Sequence, residues 1–279
     1  MRHSFAAASL LLSTAAWAAA PSPPPSPNPG AECAPLPALQ SARTFAPGEF
    51  LEYELDAVGA RAGKLTLKTL PKKDGVLPVE AQVETNTFFS KVRKVRGTGV
   101  SSLDEKTLRP RRYVEESTEN DLRRTTDVTF DASSHLAQVT YTNAQRAGKR
   151  QLRYQGDAFD PVGAIFAFRH LPLREGLALC TDVYGIRRMW RLTGTIEGKE
   201  NVSLPMGSFK AWHFSGTAQR IDNPSQRREI HVWISDDARR LPLAAVGAVD
   251  LGTVRATLTA FRRPGERPVR AEGKESLKW

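Results

Sequence analysis

From Glu49 onward, apolar and polar residues alternate with a period of two along most of the chain. Between Val79 and Val83, for example, apolar residues at every second position are separated by Glu80 and Gln82. Successive side chains of a strand point to opposite faces, so this alternation predicts strands with one buried and one solvated face.

The same alternation recurs through the rest of the chain, with Asp, Asn, Gly and Pro at the joints between segments. A first hairpin is predicted by Phe50–Leu55 and Leu65–Thr69, which flank a glycine-bearing turn. A long series of short strands at near-regular spacing indicates a mainly β fold, either a strongly bent antiparallel sheet or a partly open β-barrel. The further predicted strands are Val92–Leu103, Arg111–Ser117, Leu122–Phe130, Leu136–Thr142, Lys149–Tyr154, Ala178–Tyr184, Met189–Glu197, Phe209–Gln219, Glu229–Ile234, Leu243–Val249 and Gly252–Phe261.

One segment breaks the alternation and predicts a helix. Asp160 is a good N-cap residue, and Pro161 stands where the first helical residue would be. Side chains then recur at helical spacing, at Val162, Ile165, Phe166 and Arg169. We therefore predict one short helix at 160–170, which covers or plugs the open side of the sheet.

The two ends of the chain differ in composition from the strand-forming part. Residues 1–18 combine a short basic start, an apolar run and a small-x-small site at Ala16–Ala18, which is typical of a cleaved signal peptide. An uncleaved anchor is the alternative. Residues 19–45 are rich in proline and are predicted to form an extended linker. A single β-rich domain is predicted at 46–262, followed by a flexible basic tail at 263–279.

An export signal places the mature protein in the periplasm or outside the cell, where cysteine pairs are oxidised. The two cysteines, Cys33 and Cys180, are therefore expected to form a disulfide. Glu32 stands where a lipid-attachment signal has a small residue, so we do not expect a lipoprotein. No apolar segment after residue 20 is long enough to cross a bilayer, so no transmembrane segment is expected in the mature chain.

The chain carries 40 Lys and Arg against 30 Asp and Glu, a net charge of +10 at pH 7. The anionic neighbours of an exported protein are lipid headgroups and acidic envelope polymers, so we expect a lipid or envelope polymer as a partner, and no nucleic acid. A solvated surface built with arginine is the simpler alternative.

Sequence signatures of catalysis and metal binding are absent. The sequence has no His-x-x-x-His or Cys-x-x-Cys pair and no Gly-x-Ser-x-Gly or glycine-rich phosphate motif, so we expect no catalytic residue, metal or cofactor. His213 and His231 lie in predicted strands and could meet across a sheet, although a structural role is the simpler interpretation. The acidic residues at 115–121 lead into Arg123 and Arg124 and are interpreted as a solvated hairpin tip with local ion pairs.

Basic residues near apolar ones are candidates for ligand binding. Arg93 belongs to a basic cluster beside one predicted strand, and Arg187, Arg188 and Arg191 surround Trp190. Together with the predicted helix they would form an anion-attracting rim around an apolar cavity, although an exposed basic face explains them equally well. The candidate ligand-binding residues are Ile165, Phe166, Arg169, Trp190 and Arg93.

Several short segments occur in a characteristic order: Gly48–Tyr53, Ala62–Gly63, Phe88–Val92, Leu108–Pro110, Asp160–Arg169, Leu171–Leu173, Gly198–Glu200, Gly207–Phe209 and Trp233–Pro242. In this order they resemble an exported bacterial family known as domain of unknown function 3108, over about residues 46–262. The resemblance implies a β-rich periplasmic or envelope-associated protein and no established activity. The hairpin at Trp233–Pro242 is also similar to one in lipoprotein-sorting carriers, whose bent sheet holds acyl chains under a helix. This second likeness is one of fold, and fold does not fix function.

Three functional hypotheses follow. The first is a non-enzymatic envelope protein that carries or binds a lipid or other amphiphile under the helix. The second is a scaffold or interaction component of an envelope assembly, with envelope proteins as partners. The third, an envelope hydrolase, would require His213, His231 and a carboxylate to converge in one cleft.

Overall fold

A computed structural model describes residues 33–40, 45–185, 187–249 and 252–270. The predicted signal peptide and most of the predicted linker lie outside these residues. The helix α1 is Pro161–Phe168, and a short 3-10 turn is formed by Phe89–Lys91. The strands are β1 Phe50–Ala57, β2 Ala60–Thr69, β3 Val76–Thr85, β4 Val95–Asp104, β5 Pro110–Glu119, β6 Leu122–Asp131, β7 Leu136–Asn143, β8 Ala147–Arg153, β9 Ala158–Phe159, β10 Ala178–Gly185, β11 Arg188–Leu204, β12 Gly207–Arg220, β13 Arg227–Ser235, β14 Pro242–Val249, β15 Gly252–Arg262 and β16 Val269–Arg270.

All described strands belong to one sheet. Strands β1 to β8 form a first antiparallel meander and β10 to β15 form a second, and antiparallel pairing of β1 with β15 joins the two. The edge strands of the sheet are β8 and β9, and β9 pairs in parallel with β10. Because β8 and β9 do not pair with each other, the curved sheet is not closed into a barrel. This arrangement confirms the predicted mainly β fold with a strongly bent sheet and one short helix.

The helix lies within the curve of the sheet and contacts β3, β4, β9 and β10. Val162 and Phe166 of α1 belong to the larger of two apolar clusters, which draws on both meanders. The smaller cluster contains Phe168 at the end of α1, together with Phe214 and Ile234 of the second meander. The helix thus packs against both meanders.

The start of α1 follows the sequence prediction. The carboxylate of Asp160 accepts hydrogen bonds from the backbone N–H groups of Val162 and Gly163, both at 2.9 Å. Pro161 occupies the first helical position, where no intrahelical donor is needed. The hydroxyl of Ser101 on β4 donates a further bond to Asp160 at 2.6 Å, so the cap also attaches the helix to the first meander.

This buried cap has a consequence for pH dependence. Burial raises the pKa of Asp160 from 3.8 to about 6, although the hydrogen bonds from Ser101, Gly163 and Val162 act in the opposite direction. Between these two pH values the folded protein binds more protons than the unfolded chain, so the contribution of Asp160 to the unfolding free energy falls as the pH rises. Relative to Asp160→Asn, whose amide oxygen can still cap the helix, the wild-type protein should therefore lose stability from about pH 4 to about pH 7.

Urea unfolding of both proteins across this pH range measures the difference directly. The comparison is made with Asp160→Asn because other carboxylates, such as Asp104, have lowered pKa values and shift stability in the opposite direction in both proteins. Parallel stability curves for the two proteins, or a difference of the opposite sign, would contradict the prediction.

Both ends of the described chain are attached to the sheet. Cys33 and Cys180 form a disulfide, and the N–H of Leu36 donates to the Asp157 carboxylate at 3.0 Å. The part of the predicted linker at 33–40 is thus fixed to the domain. At the other end, Val269–Arg270, within the range predicted as a tail, form β16 against β15.

Strand β8 forms one edge of the sheet and is strongly polar. Its side chains at Lys149, Arg150, Gln151 and Arg153 are exposed. Leu152 is the one larger apolar residue of the strand and is half-buried beside the core.

Candidate functional site

A cavity of about 380 Å³ lies between α1 and the second meander. This volume falls in the range of small-molecule binding sites, about 300–1,000 Å³. Among the described residues that line it, all are apolar except Arg228. The lining residues are Pro161, Ala164, Ile165 and Phe168 of α1, Val183 and Gly185 of β10, Trp190 and Leu192 of β11, Phe214 and Ala218 of β12, Arg228, Ile230, Val232 and Ile234 of β13, and Gly247 and Ala248 of β14.

Helical spacing explains why α1 has two different faces. Pro161, Ala164, Ile165 and Phe168 are three or four residues apart and therefore share the face that borders the cavity. Val162 and Phe166 lie on the other side of the helix, in the larger apolar cluster. Ala164 and Ile165 are only half-buried although they are apolar, since one side of each faces open volume.

Alternation along the strands supplies the opposite wall. Ile230, Val232 and Ile234 point to one face of β13, and Phe214 continues this surface on β12. The Phe214 ring lies across the cross-strand pair Gly194 and Gly216. A Cβ atom on Gly194 would be 2.5 Å from the Phe214 ring, and one on Gly216 would be 2.7 Å away. The two glycines therefore allow the ring to lie close to the sheet and leave space above it.

The polar groups in the wall of the cavity are hydrogen-bonded. The indole N–H of Trp190 donates to the carbonyl oxygen of Gly185 at 2.9 Å, and the Arg228 guanidinium donates to that of Ala248 at 3.1 Å. The guanidinium carbon of Arg228 lies 4.7 Å from the centre of the Trp190 ring, in a cation–π contact. Because these groups are paired within the wall, the cavity presents an apolar surface to a ligand.

The structure separates the five candidate ligand-binding residues. Ile165 and Trp190 line the cavity. Phe166 packs edge-on against Phe45 in the larger apolar cluster, with ring centres 4.6 Å apart. Arg93 forms an ion pair with Glu119 at 2.5 Å and does not line the cavity.

Arg169, the fifth candidate, is completely buried and is not among the residues that line the cavity. Its guanidinium donates to both oxygens of the equally buried Glu49 carboxylate, at 2.6 and 3.1 Å. It also donates to the backbone carbonyl oxygens of Arg239 and Arg240, at 3.0 and 2.9 Å. These bonds connect the end of α1 to the start of β1 and to the β13–β14 turn, which is a structural role.

Most of the cavity wall was not selected by sequence reasoning. The predicted strands Phe209–Gln219 and Glu229–Ile234 contain Phe214, Ile230 and Val232, but none of the three was a candidate ligand-binding residue. Alternation distinguishes buried from exposed positions, but it does not show which buried positions border open volume.

His213 and His231 do meet across β12 and β13. Their ring nitrogens Nε2 and Nδ1 are 3.0 Å apart, and the His213 ring stacks on Trp233 with centres 4.7 Å apart. Glu200 accepts a hydrogen bond from the Trp233 indole and lies 3.8 Å from His213. Burial and the neighbouring His231 hold the pKa of His213 below its ordinary value, although Glu200 opposes this.

This histidine pair lies on the opposite strand face from Phe214 and Val232, and therefore outside the apolar cavity. Within the described residues, neither ring is hydrogen-bonded to a serine, threonine or cysteine. In the same part of the chain, no group of three or more His, Cys, Asp or Glu side chains is arranged to hold a metal ion. His213, His231 and the Glu200 carboxylate thus lie together, as the hydrolase hypothesis requires, but in the described part of the chain no hydroxyl or thiol nucleophile is hydrogen-bonded to either ring.

Among the helices of the described ranges, none combines the length and apolar character needed to cross a membrane.

Comparison with known proteins gives a family and a fold. The family described as "Protein of unknown function (DUF3108)" matches residues 52–259. Among solved structures, a β-barrel-like protein of the domain of unknown function DUF1849 from Brucella abortus is similar, with a TM-score of 0.54 and 10% identity over 80% of this chain and 100% of that one. A protein with a YmcC-like fold from Bacteroides fragilis has a TM-score of 0.35 and 9% identity over 84% of this chain and all of that one. No curated protein matches the sequence significantly.

Proposed function

The chain belongs to the DUF3108 family of proteins of unknown function, and from the geometry of its cavity we propose that it is a non-enzymatic carrier or binder of a lipid or similar amphiphile. The single observation that carries this proposal is the apolar cavity between α1 and the second meander. Burial of each methylene group contributes about 0.8 kcal/mol. A hydrocarbon chain of several methylenes would therefore gain several kcal/mol in this volume, against the cost of immobilising it.

The character of the cavity wall supports binding over catalysis. Arg228 is the one ionisable residue among the described residues that line it. An arginine side chain stays protonated in proteins and cannot serve as a general base. The described part of the wall thus offers an acyl chain a favourable surface and offers a reacting group no acid, base or nucleophile.

The disulfide supports a location in an oxidising compartment. Such bonds persist in secreted and periplasmic proteins and are rare in reducing cytosol. The Cys33–Cys180 bond therefore agrees with the export signal expected at 1–18. We propose that the mature protein binds its amphiphile in the periplasm or at the cell envelope.

Filling the cavity should weaken binding without unfolding the protein. Ala164 on α1 and Ala218 on β12 both line the cavity, so leucines at the two positions would project into open volume. We expect Ala164→Leu/Ala218→Leu to weaken binding of a dansylated fatty acid by about tenfold or more, since roughly 1.4 kcal/mol of lost contact corresponds to that factor. The affinity is measured by fluorescence titration, and the thermal unfolding midpoint is measured in parallel.

Ala132 lies exposed in the turn between β6 and β7 and provides the matched control, Ala132→Leu. This variant should bind the probe like the wild-type protein. If the wild-type protein fails to bind the probe, or the double variant binds it equally well while folded, the carrier proposal is wrong. Recovery of a defined envelope protein by cross-linking would then favour the scaffold hypothesis.

A further inference from the structure

A second cavity, of about 280 Å³, lies beside the apolar one and is lined by seven arginines. We call it the arginine cleft. It is formed where the hairpins at one end of both meanders approach each other. None of the described residues that line it is an aspartate or a glutamate. The arginines are Arg124, Arg146 and Arg150 of the first meander and Arg187, Arg188, Arg220 and Arg228 of the second.

Positive charge in the arginine cleft exceeds the negative charge around it. Arg124 pairs with Glu119 at 2.8 Å, and Asp222 is shared by Arg220 at 2.8 Å and Arg188 at 3.4 Å. The carboxylates of Glu119 and Asp222 thus form ion pairs with three of the seven arginines. Three others have no carboxylate within ion-pair distance in the described part of the chain, namely Arg146, Arg150 and Arg187. An anion in the cleft would relieve the repulsion among these like charges.

The arginine cleft and the apolar cavity are contiguous. Trp190 and Arg228 line both of them. The Trp190 ring and the Arg228 guanidinium stacked on it therefore lie at the boundary between the apolar cavity and the arginine cleft. A ligand that spans this boundary would need a hydrocarbon part on one side and an anionic group on the other.

Tyr184 adds a neutral hydrogen-bond donor to the cleft. The residue lines the cleft and is only 2% exposed. Burial and the nearby Glu115 charge raise the pKa of Tyr184 to about 12, although Arg187, Arg150 and Arg188 act to lower it. The hydroxyl group therefore keeps its proton at neutral pH and can donate to an anionic oxygen.

From this geometry we infer that the arginine cleft binds the phosphate or carboxylate group of an anionic amphiphile whose hydrocarbon chain occupies the apolar cavity. The inference rests on the proposed carrier function and adds the chemical class of the headgroup. The guanidinium group donates through a planar fork that matches phosphate and carboxylate oxygens in bidentate pairs. Both parts of the ligand are recognised at once, so a free phosphate ion would bind more weakly than the amphiphile.

The test uses three probes with the mature protein in isothermal titration calorimetry. They are lysophosphatidic acid, a monoacylglycerol with the same acyl chain, and inorganic phosphate. The variant Arg146→Gln/Arg150→Gln/Arg187→Gln removes the three arginines that have no carboxylate partner. Its control, Arg153→Gln/Arg174→Gln/Arg267→Gln, removes the same charge at exposed positions that line neither cavity.

We expect the wild-type protein to bind lysophosphatidic acid about tenfold or more tightly than the monoacylglycerol, since only the first has a charged group that can accept hydrogen bonds from the arginines. The cleft variant should lose this preference and keep its affinity for the monoacylglycerol. The control variant should retain the preference, and inorganic phosphate should bind weakly.

Two contrary outcomes are distinguishable. If both lipids bind equally well and the cleft variant changes neither affinity, the headgroup inference is wrong while the carrier proposal stands. If inorganic phosphate binds but neither lipid does, the carrier proposal is wrong, and with it the inference that the cleft serves an amphiphile.

Discussion

Replacing Arg169 by methionine is expected to lower the free energy of unfolding by about 3–5 kcal/mol, the cost typical of breaking a buried ion pair by removing one partner. The guanidinium and the Glu49 carboxylate are both inaccessible to solvent. Without Arg169, the Glu49 charge would remain in the core with its strongest partner removed. The carbonyl oxygens of Arg239 and Arg240 would lose their donor in the same substitution.

A double-mutant cycle identifies the cause of the loss. Replacing Glu49 by leucine together with Arg169→Met removes both charges, so the double variant should be less destabilised than the sum of the single variants. Urea unfolding at neutral pH measures each free energy. Arg174→Met is the matched control at an exposed position and should change stability by no more than about 0.5 kcal/mol. A loss below about 1 kcal/mol for Arg169→Met, or strict additivity in the cycle, would show that the pair is not coupled as described.

Removal of the disulfide is expected to have the second largest effect. The bond joins residues that are 147 positions apart, and closing so long a loop contributes on the order of 5 kcal/mol in the chain-entropy model. Measured losses on removing a native disulfide are about 2–5 kcal/mol, and we expect Cys33→Ser/Cys180→Ser to fall in this range. The segment at 33–40 should also become sensitive to proteolysis, because its attachment would then depend on contacts such as Leu36 to Asp157.

Reductant supplies an internal control for this second prediction. In dithiothreitol the wild-type protein should have the same free energy of unfolding as the double serine variant. Dithiothreitol should not change the free energy of unfolding of the variant. Unfolding curves that coincide for the oxidised wild-type protein and the variant would contradict the prediction.

The fold could be predicted from the sequence because its determinants are local. Period-two alternation identified the strands, and the pair Asp160–Pro161 identified the start of the helix. One difference arises where glycine interrupts the local pattern. The strand predicted at Met189–Glu197 continues to Leu204 in β11, because the register shift between Ile196 and Gly198 is accommodated within the strand as a bulge.

The candidate site could be predicted only in part because its determinants are distant in sequence. Ile165 and Phe166 are adjacent apolar residues of one helix, and periodicity does not show which of them faces a cavity and which faces a core. Arg169 shares the helical spacing of the candidates, but its partner Glu49 lies 120 positions earlier. The arginine cleft likewise depends on how the curved sheet brings Arg146 and Arg228 together, although Arg187 and Arg188 were already grouped with Trp190.

The polar character of β8 has a consequence for self-association. The end of an open sheet can template the addition of a strand from another copy, which is a common route to aggregation. Addition of a second β8 would place the cations at Lys149, Arg150 and Arg153 close to those of its neighbour, and like charges on facing strands are destabilising. The unclosed sheet therefore carries its own electrostatic barrier against polymerisation at this edge, and that barrier weakens as salt screens the charges.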